Sequence, residues 1–269
     1  MNNTWSQESG DSRKAESNSF VAFILLLALL GGGLLSALTV CLLIWLSAKS
    51  VALDSSMKHG IAESQQSRLG GVAIALSLIF YGLVLPIEAL SLAPYMDFKN
   101  TLFSGAPLFL VTVTGLVGLI DDFRSRMSQY WRLFLLFFFS FSVFVIAPEV
   151  LPDMLTLFSL EGVQGSGWIL LVGATILFVG FLNAGNIADG ANGLFALIAS
   201  VFFASMVVLT GDLVSTLVLL SLGPFCLYNL VTGRIVLGDF GAYALSALIV
   251  LTSFKIFNEH GVSVFLFAS

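Results

Sequence analysis

Phe181-Leu-Asn-Ala-Gly-Asn-Ile-Ala-Asp-Gly-Ala-Asn-Gly-Leu194 is a polar, glycine-punctuated stretch between two apolar runs, Trp168 to Leu182 and Leu194 to Leu209. Both runs read as membrane helices. Polar side chains at such a junction cost several kcal/mol in hydrocarbon unless they are buried in protein or line a wet cavity. The stretch therefore reads either as a site or as a polar seam or loop joining two spans. Asn183 and Asn186 share a face if the helix continues, while Gly185, Gly190 and Gly193 allow a turn or close backbone approach. Amide side chains suit the edge of a nucleobase, and an amide oxygen also ligates a hard cation.

Outward from this stretch the chain stays apolar. Hydrophobic residues make up 58% of 269, charged residues 10%, and the mean hydropathy is +1.00. Those values define a polytopic membrane protein and exclude a soluble globule. The expected fold is all-α, a transmembrane helical bundle of eight complete spans and the start of a ninth. A polar tail over 1–19 reads as disordered, and 20–269 reads as one integral-membrane unit. The spans are Phe20–Leu46, Leu69–Ala93, Leu102–Ile120, Tyr130–Ala147, the two flanking runs, Leu213–Val231 and Tyr243–Phe257. Cys41 and Cys226 lie inside apolar runs and read as small buried residues. His59 and His260 lie in loops, so no histidine-based metal cluster is visible. No basic patch with interleaved aromatics points to nucleic acid.

Counting spans assigns loops to sides. Lys49, Lys58, Arg68, Arg124, Arg126, Arg132 and Arg234 follow odd-numbered spans, which places that side in the cytoplasm and the N-terminus outside. Asp121, Asp122, Asp189 and Asp239 then share the cytoplasmic face.

Gly115-Leu-Val-Gly-Leu-Ile-Asp-Asp122 sets two carboxylates at a span end. Adjacent helical residues point about 100° apart, so the pair does not hold one ion symmetrically. One can approach a metal or a proton while the other is held by a cation, with Arg124, Arg126 and Arg132 as candidates. In Val236-Leu-Gly-Asp-Phe-Gly-Ala-Tyr243, Asp239 reads either as a helix N-cap or as a site carboxylate. Gly238 and Gly241 are expected to leave room beside it for a phosphate. Arg68-Leu-Gly-Gly71 joins a cation to glycines at a span start, suited to binding an anion or anchoring the helix. Carboxylates and amides for Mg²⁺, with arginines for phosphate, suit metal-assisted phosphoryl transfer at a membrane surface. A transporter would instead show charges near mid-span, where Glu88 alone is a candidate.

These four motifs, in this order, resemble the polyprenyl-phosphate N-acetylhexosamine-1-phosphate transferase family, from about Arg68 to about Asn258. The resemblance implies transfer of a sugar-1-phosphate from a UDP-N-acetylhexosamine to undecaprenyl phosphate, with release of UMP, in the bacterial inner membrane. It implies Mg²⁺ (or Mn²⁺), held by Asp239 and assisted by Asn186. Asp121 and Asp122 match the family's paired catalytic aspartates. Asp189, Gly190 and Asn192 match residues around the uridine, with Asn183 supporting their loop, and Arg68 matches a phosphate-binding residue. It also admits a homodimer.

Asp-Gly-Ala-Asn-Gly and Gly-Asp-Phe-Gly-Ala-Tyr are nearer to the cell-surface-polysaccharide branch than to the peptidoglycan branch, which favours a GlcNAc-type donor. Ser67 stands where relatives commonly have proline. The family continues into further spans and a loop bearing Arg and His, whereas Val262 to Ser269 is only an apolar beginning. The expectation is a truncated product or impaired activity, and the alternative to the enzyme is a catalytically silent membrane protein that binds a nucleotide-sugar or lipid.

Overall fold

The computed structural model describes residues 31, 34–35, 38–39, 42, 53–55, 65–84, 105–124, 127–152, 167–190 and 193–260. The expected tail at 1–19, Asn192 and the apolar end at 262–269 lie outside them, as do most of the first expected span and residues 85–93 of the second. Among the described residues seven α-helices follow a short ribbon: α1 (Gly70–Val84), α2 (Gly105–Arg124), α3 (Gln129–Ile146), α4 (Gly167–Asp189), α5 (Leu194–Thr210), α6 (Leu213–Thr232) and α7 (Gly238–His260).

Five of the seven (α2, α3, α4, α6 and α7) are long and apolar enough to cross a membrane. α5 has 17 residues, about 25 Å of rise, apolar but short of a full hydrocarbon thickness, and the described part of α1 is an apolar stretch of 15 residues. The eight complete spans expected from hydropathy therefore stand at five among the described residues. The bundle itself is all-α, as expected. Beside it, in what reads from sequence as a polar loop, β1 (Leu53–Ser55) and β2 (Gln65–Ser67) pair antiparallel, and Ser67 makes a parallel bridge to Ile235.

α7 is the centre of the bundle. Of its membrane-crossing stretch 78% is buried, against 22% for α3. It packs on α2, α4 and α1, and α5 and α6 pack on each other. Phe144, Phe178, Phe203, Phe225, Tyr243 and Phe254 fill the core, while Ile79, Phe109, Phe138, Ile176, Val201 and Leu227 point outward. An apolar outside of this kind is the surface that lipid tails solvate. Hydroxyl groups inside the spans return their protons to the backbone: Ser140, Thr175, Ser221 and Ser253 each donate to the carbonyl four residues back, at 2.7 to 2.9 Å. At the far end from α7's start, Asp212 caps α6 by accepting from Ser215 N at 2.7 Å and pairs with Lys255 at 3.6 Å.

Small residues let helices touch at the start of α7. Gly71 of α1 meets Gly241 backbone to backbone, and a methyl group at Gly118 of α2 would strike the Asp239 carbonyl. Gly173, by contrast, faces open space. Gly118→Ala is expected to destabilise the fold by about 1–3 kcal/mol through overpacking, and Gly173→Ala to change little. Thermal unfolding in detergent measures both, and equal midpoints for the two variants would contradict the packing described.

Candidate active site

The functional residues come together where α2 and α4 end and α3 and α7 begin. The polar stretch at 181–194 is helical to Asp189, because α4 continues through Asn183 and Asn186, and Gly190 and Gly193 are turn residues. Asn183, Asn186 and Asp189 therefore follow one another at three-residue spacing along one side of α4. Gly190 N donates to Ile187 O at 3.2 Å, and Gly193 adopts a left-handed φ of 75° before α5.

Three backbone N–H groups open α7, and carboxylates from two other helices take them. Gly238 N donates to Asp189 Oδ2 at 3.1 Å. Asp239 N and Phe240 N donate to Asp122 Oδ1 and Oδ2 at 3.2 and 3.1 Å. Asp122 is 2% exposed, so this contact substitutes for the water that the carboxylate has lost. Asp239 lies inside the first turn and is not the N-cap; its side chain is left free of that role.

The paired aspartates divide as their directions require. Asp122 turns to α7. Asp121 turns to Arg132, which donates from Nη1 to Asp121 Oδ2 at 2.6 Å, and Asp121 Oδ1 accepts from Met127 N at 3.2 Å. The same Nη1 lies 3.4 Å from Asp239 Oδ2. Arg132 thus bridges two carboxylates that are far apart in sequence, and its Nε is buried without a hydrogen-bond partner. Of the three arginines suggested by the sequence, Arg126 and the side chain of Arg124 lie outside the described residues.

Asn186 Nδ2 donates to Tyr243 Oη at 2.9 Å, and Tyr243 is one turn along α7 from Asp239. The Asn183 amide donates to Val179 O at 2.8 Å on its own helix. Gly238 and Gly241 do not supply the room expected of them, since Gly238 lies against the Arg68 carbonyl and Gly241 against Gly71. Those glycines serve backbone contact instead of a phosphate. The same contact brings Arg68 to the start of α7. Sequence reasoning assigned Tyr243 no role and left Arg132 as one of three. The available signals were a lone guanidinium four residues into a phenylalanine-rich helix and a phenol four residues after Asp239.

Among the described residues no group of three or more His, Cys, Asp or Glu is arranged to hold a metal ion. Mg²⁺ does not require one, because it uses one or two carboxylates completed by waters and substrate phosphates. The carboxyl groups of Asp121, Asp122, Asp189 and Asp239 gather here with Arg132 and the nearby Arg68. Asn186, its amide nitrogen engaged by Tyr243, has its carbonyl oxygen to offer. The donor set fits a hard divalent cation.

Fold and site together define a multi-pass integral membrane protein whose acidic, amide-bearing site is built from helix ends. The glycosyl transferase family 4 model matches residues 105–257, more than half of the chain, and the chain belongs to that family. It is 24% identical to a phospho-N-acetylmuramoyl-pentapeptide-transferase of Shouchella clausii over 87% of this chain and 75% of the relative. Transferases of the same description from Acetivibrio thermocellus and Enterococcus faecalis are 28% and 29% identical, over 53% and 56% of this chain and 49% and 52% of theirs. The chain thus spans about half the length of these two relatives and three quarters of the first.

Asp122→Ala removes the acceptor for two N–H groups at once. The expected cost is about 1–2 kcal/mol, the range of a lost helix cap, together with faster amide exchange at Asp239 and Phe240. Hydrogen exchange in detergent checks this, and unchanged protection at both amides would show that they have other partners.

Proposed function

We propose that the chain transfers N-acetylhexosamine-1-phosphate, of the GlcNAc type, from a UDP-sugar to undecaprenyl or another polyprenyl phosphate and releases UMP. The reaction would initiate cell-surface polysaccharide or cell-wall glycan synthesis at the cytoplasmic face of the bacterial inner membrane. The observation that carries this reading is the convergence of Asp121, Asn186 and Asp239, with Arg132 and Arg68, on one end of a bundle belonging to glycosyl transferase family 4. Orientation follows from the basic residues on that side, and the GlcNAc-type donor from the Asp-Gly-Ala-Asn-Gly and Gly-Asp-Phe-Gly-Ala-Tyr motifs.

In the proposed reaction an oxygen of the polyprenyl phosphate attacks the phosphorus that carries the sugar. A new P–O bond forms, the P–O bond to UMP breaks, and UMP leaves with the electron pair. Mg²⁺ held by Asp239 and Asn186 would neutralise the donor pyrophosphate. The acceptor is already an anion, so no strong base is needed. Protein catalysis is then positioning and charge compensation. Arg132, fixed between Asp121 and Asp239, would set a positive charge beside the reacting phosphates. Asp121 holds that guanidinium at the site, and Asp122 holds the start of α7 on which Asp239 rides. Arg68 would meet a phosphate of the donor or acceptor, and Asp189, Gly190 and Asn192 would lie along the uridine.

The test is UMP release from UDP-GlcNAc, UDP-GalNAc and UDP-MurNAc-pentapeptide by membranes holding the chain, with undecaprenyl phosphate and Mg²⁺. Release from a UDP-N-acetylhexosamine is expected, stopped by chelation and reduced by roughly 10²-fold or more in Asp239→Asn, as when charge stabilisation of a transition state is lost. Full activity of Asp239→Asn would remove Asp239 from the metal site. Turnover of UDP-MurNAc-pentapeptide alone would overturn the donor assignment, and nucleotide-sugar binding without release would favour the silent binder.

A further inference from the structure

Tyr243 is fully buried, and the ring sits among the core residues of the bundle. A buried phenol needs a partner for its hydroxyl, and here that partner is the Asn186 amide, which donates at 2.9 Å. The two ends of an amide have opposite effects on a cation. Its carbonyl oxygen ligates a cation, whereas its N–H₂ end repels one. A side-chain amide that is free to rotate presents either end. In the structure the N–H₂ end lies at Tyr243, whose oxygen accepts from it, on the side of α7 that carries Asp239 one turn earlier.

We infer that Tyr243 is a positioning residue whose hydroxyl holds the Asn186 amide by its nitrogen, so that the carbonyl oxygen faces the divalent cation shared with Asp239. The inference rests on the assignment of Asn186 and Asp239 under the proposed function and adds a residue that touches neither substrate nor metal. It accounts physically for a tyrosine at the end of Gly-Asp-Phe-Gly-Ala-Tyr, because an aromatic of the same size without the hydroxyl would fill the core equally well and leave the amide unoriented.

The experiment is a double-mutant cycle on the full chain in detergent, read by Mn²⁺ binding through the loss of its free electron paramagnetic resonance signal. The variants are Tyr243→Phe, Asn186→Asp and the pair together. Tyr243→Phe keeps the ring and is expected to weaken Mn²⁺ binding about five- to tenfold, the equivalent of one net hydrogen bond. Asn186→Asp makes both ends of the side chain oxygen, so adding Tyr243→Phe to it is expected to weaken binding no further. Equal weakening in both backgrounds would mean that Tyr243 acts through packing, and no weakening in either would remove its role; both overturn the inference. A wild-type chain that binds no Mn²⁺ would overturn it as well. The expected Mn²⁺ pattern without UMP release would leave the positioning role standing and strike only at the proposed reaction.

Discussion

The start of α7 is a helix end buried at the centre of a membrane bundle, and its backbone must be satisfied without water. The first N–H groups of any helix lack intrahelical acceptors, and hydrocarbon supplies none. Here each of the first three meets a carboxylate from α2 or α4. The segment leading into α7 is satisfied from the other side. Arg234 O accepts from Ser67 N, Ile235 O from the Asn229 amide, Val236 O from Gly70 N and Leu237 O from Gly71 N. Non-helical backbone thus passes between α6 and α7 with every carbonyl from 234 to 237 engaged. The arrangement ties α1, α2, α4 and α7 into one unit, and it explains why Gly71, Gly118 and Gly241 stand where those backbones meet.

This constraint also determines which acidic residues remain available. Asp122 and Asp189 contribute their charge to the positive end of the α7 dipole, where an anion is stabilised. Asp121 and Asp239 are left facing one guanidinium. Four carboxylates at one helix start would repel one another strongly in a low-dielectric surrounding. Two helix-terminal contacts and one shared arginine spread that charge without cancelling it. What remains is Asp121 and Asp239 paired with one guanidinium on a rigid support, and in the proposed reaction that support would hold the metal and the phosphates in place.

Much of this is legible in the sequence, because hydropathy and polarity act locally. The apolar runs locate α2, α3, α5 and α6 within a few residues, while α4 ends seven residues later and α7 begins five residues earlier than its run, and the polar interruption at 183–192 marks the right end of the bundle. Asp121 and Asp122 diverge because helical geometry alone requires it of adjacent residues. The tertiary contacts are not legible. Asp122 meets residues 117 and 118 positions away, Arg132 meets Asp239 at a separation of 107, and Asn186 meets Tyr243 at 57. No periodicity encodes such pairs. Gly238 and Gly241 mislead for the same reason: a glycine vacates space, but only the fold shows whether backbone or ligand occupies it.

A polar membrane site is often built by breaking helices near mid-span, so that freed backbone groups bind the substrate. Here the α-helices stay whole and the site is made from their ends. The difference follows from where the reactants are. In the proposed reaction a water-soluble donor and a lipid headgroup would meet at the membrane surface, so the chemistry would need rigid carboxylates and amides at interfacial depth, and intact helices would deliver their termini there. The cost falls on the one helix that begins inside the bundle, α7, and Asp122 and Asp189 meet it. In this reading the two aspartates are part of the site because they hold its frame: without them Asp239 would ride on a fraying helix start, and the Asn186–Tyr243 contact one turn further in would lose its register.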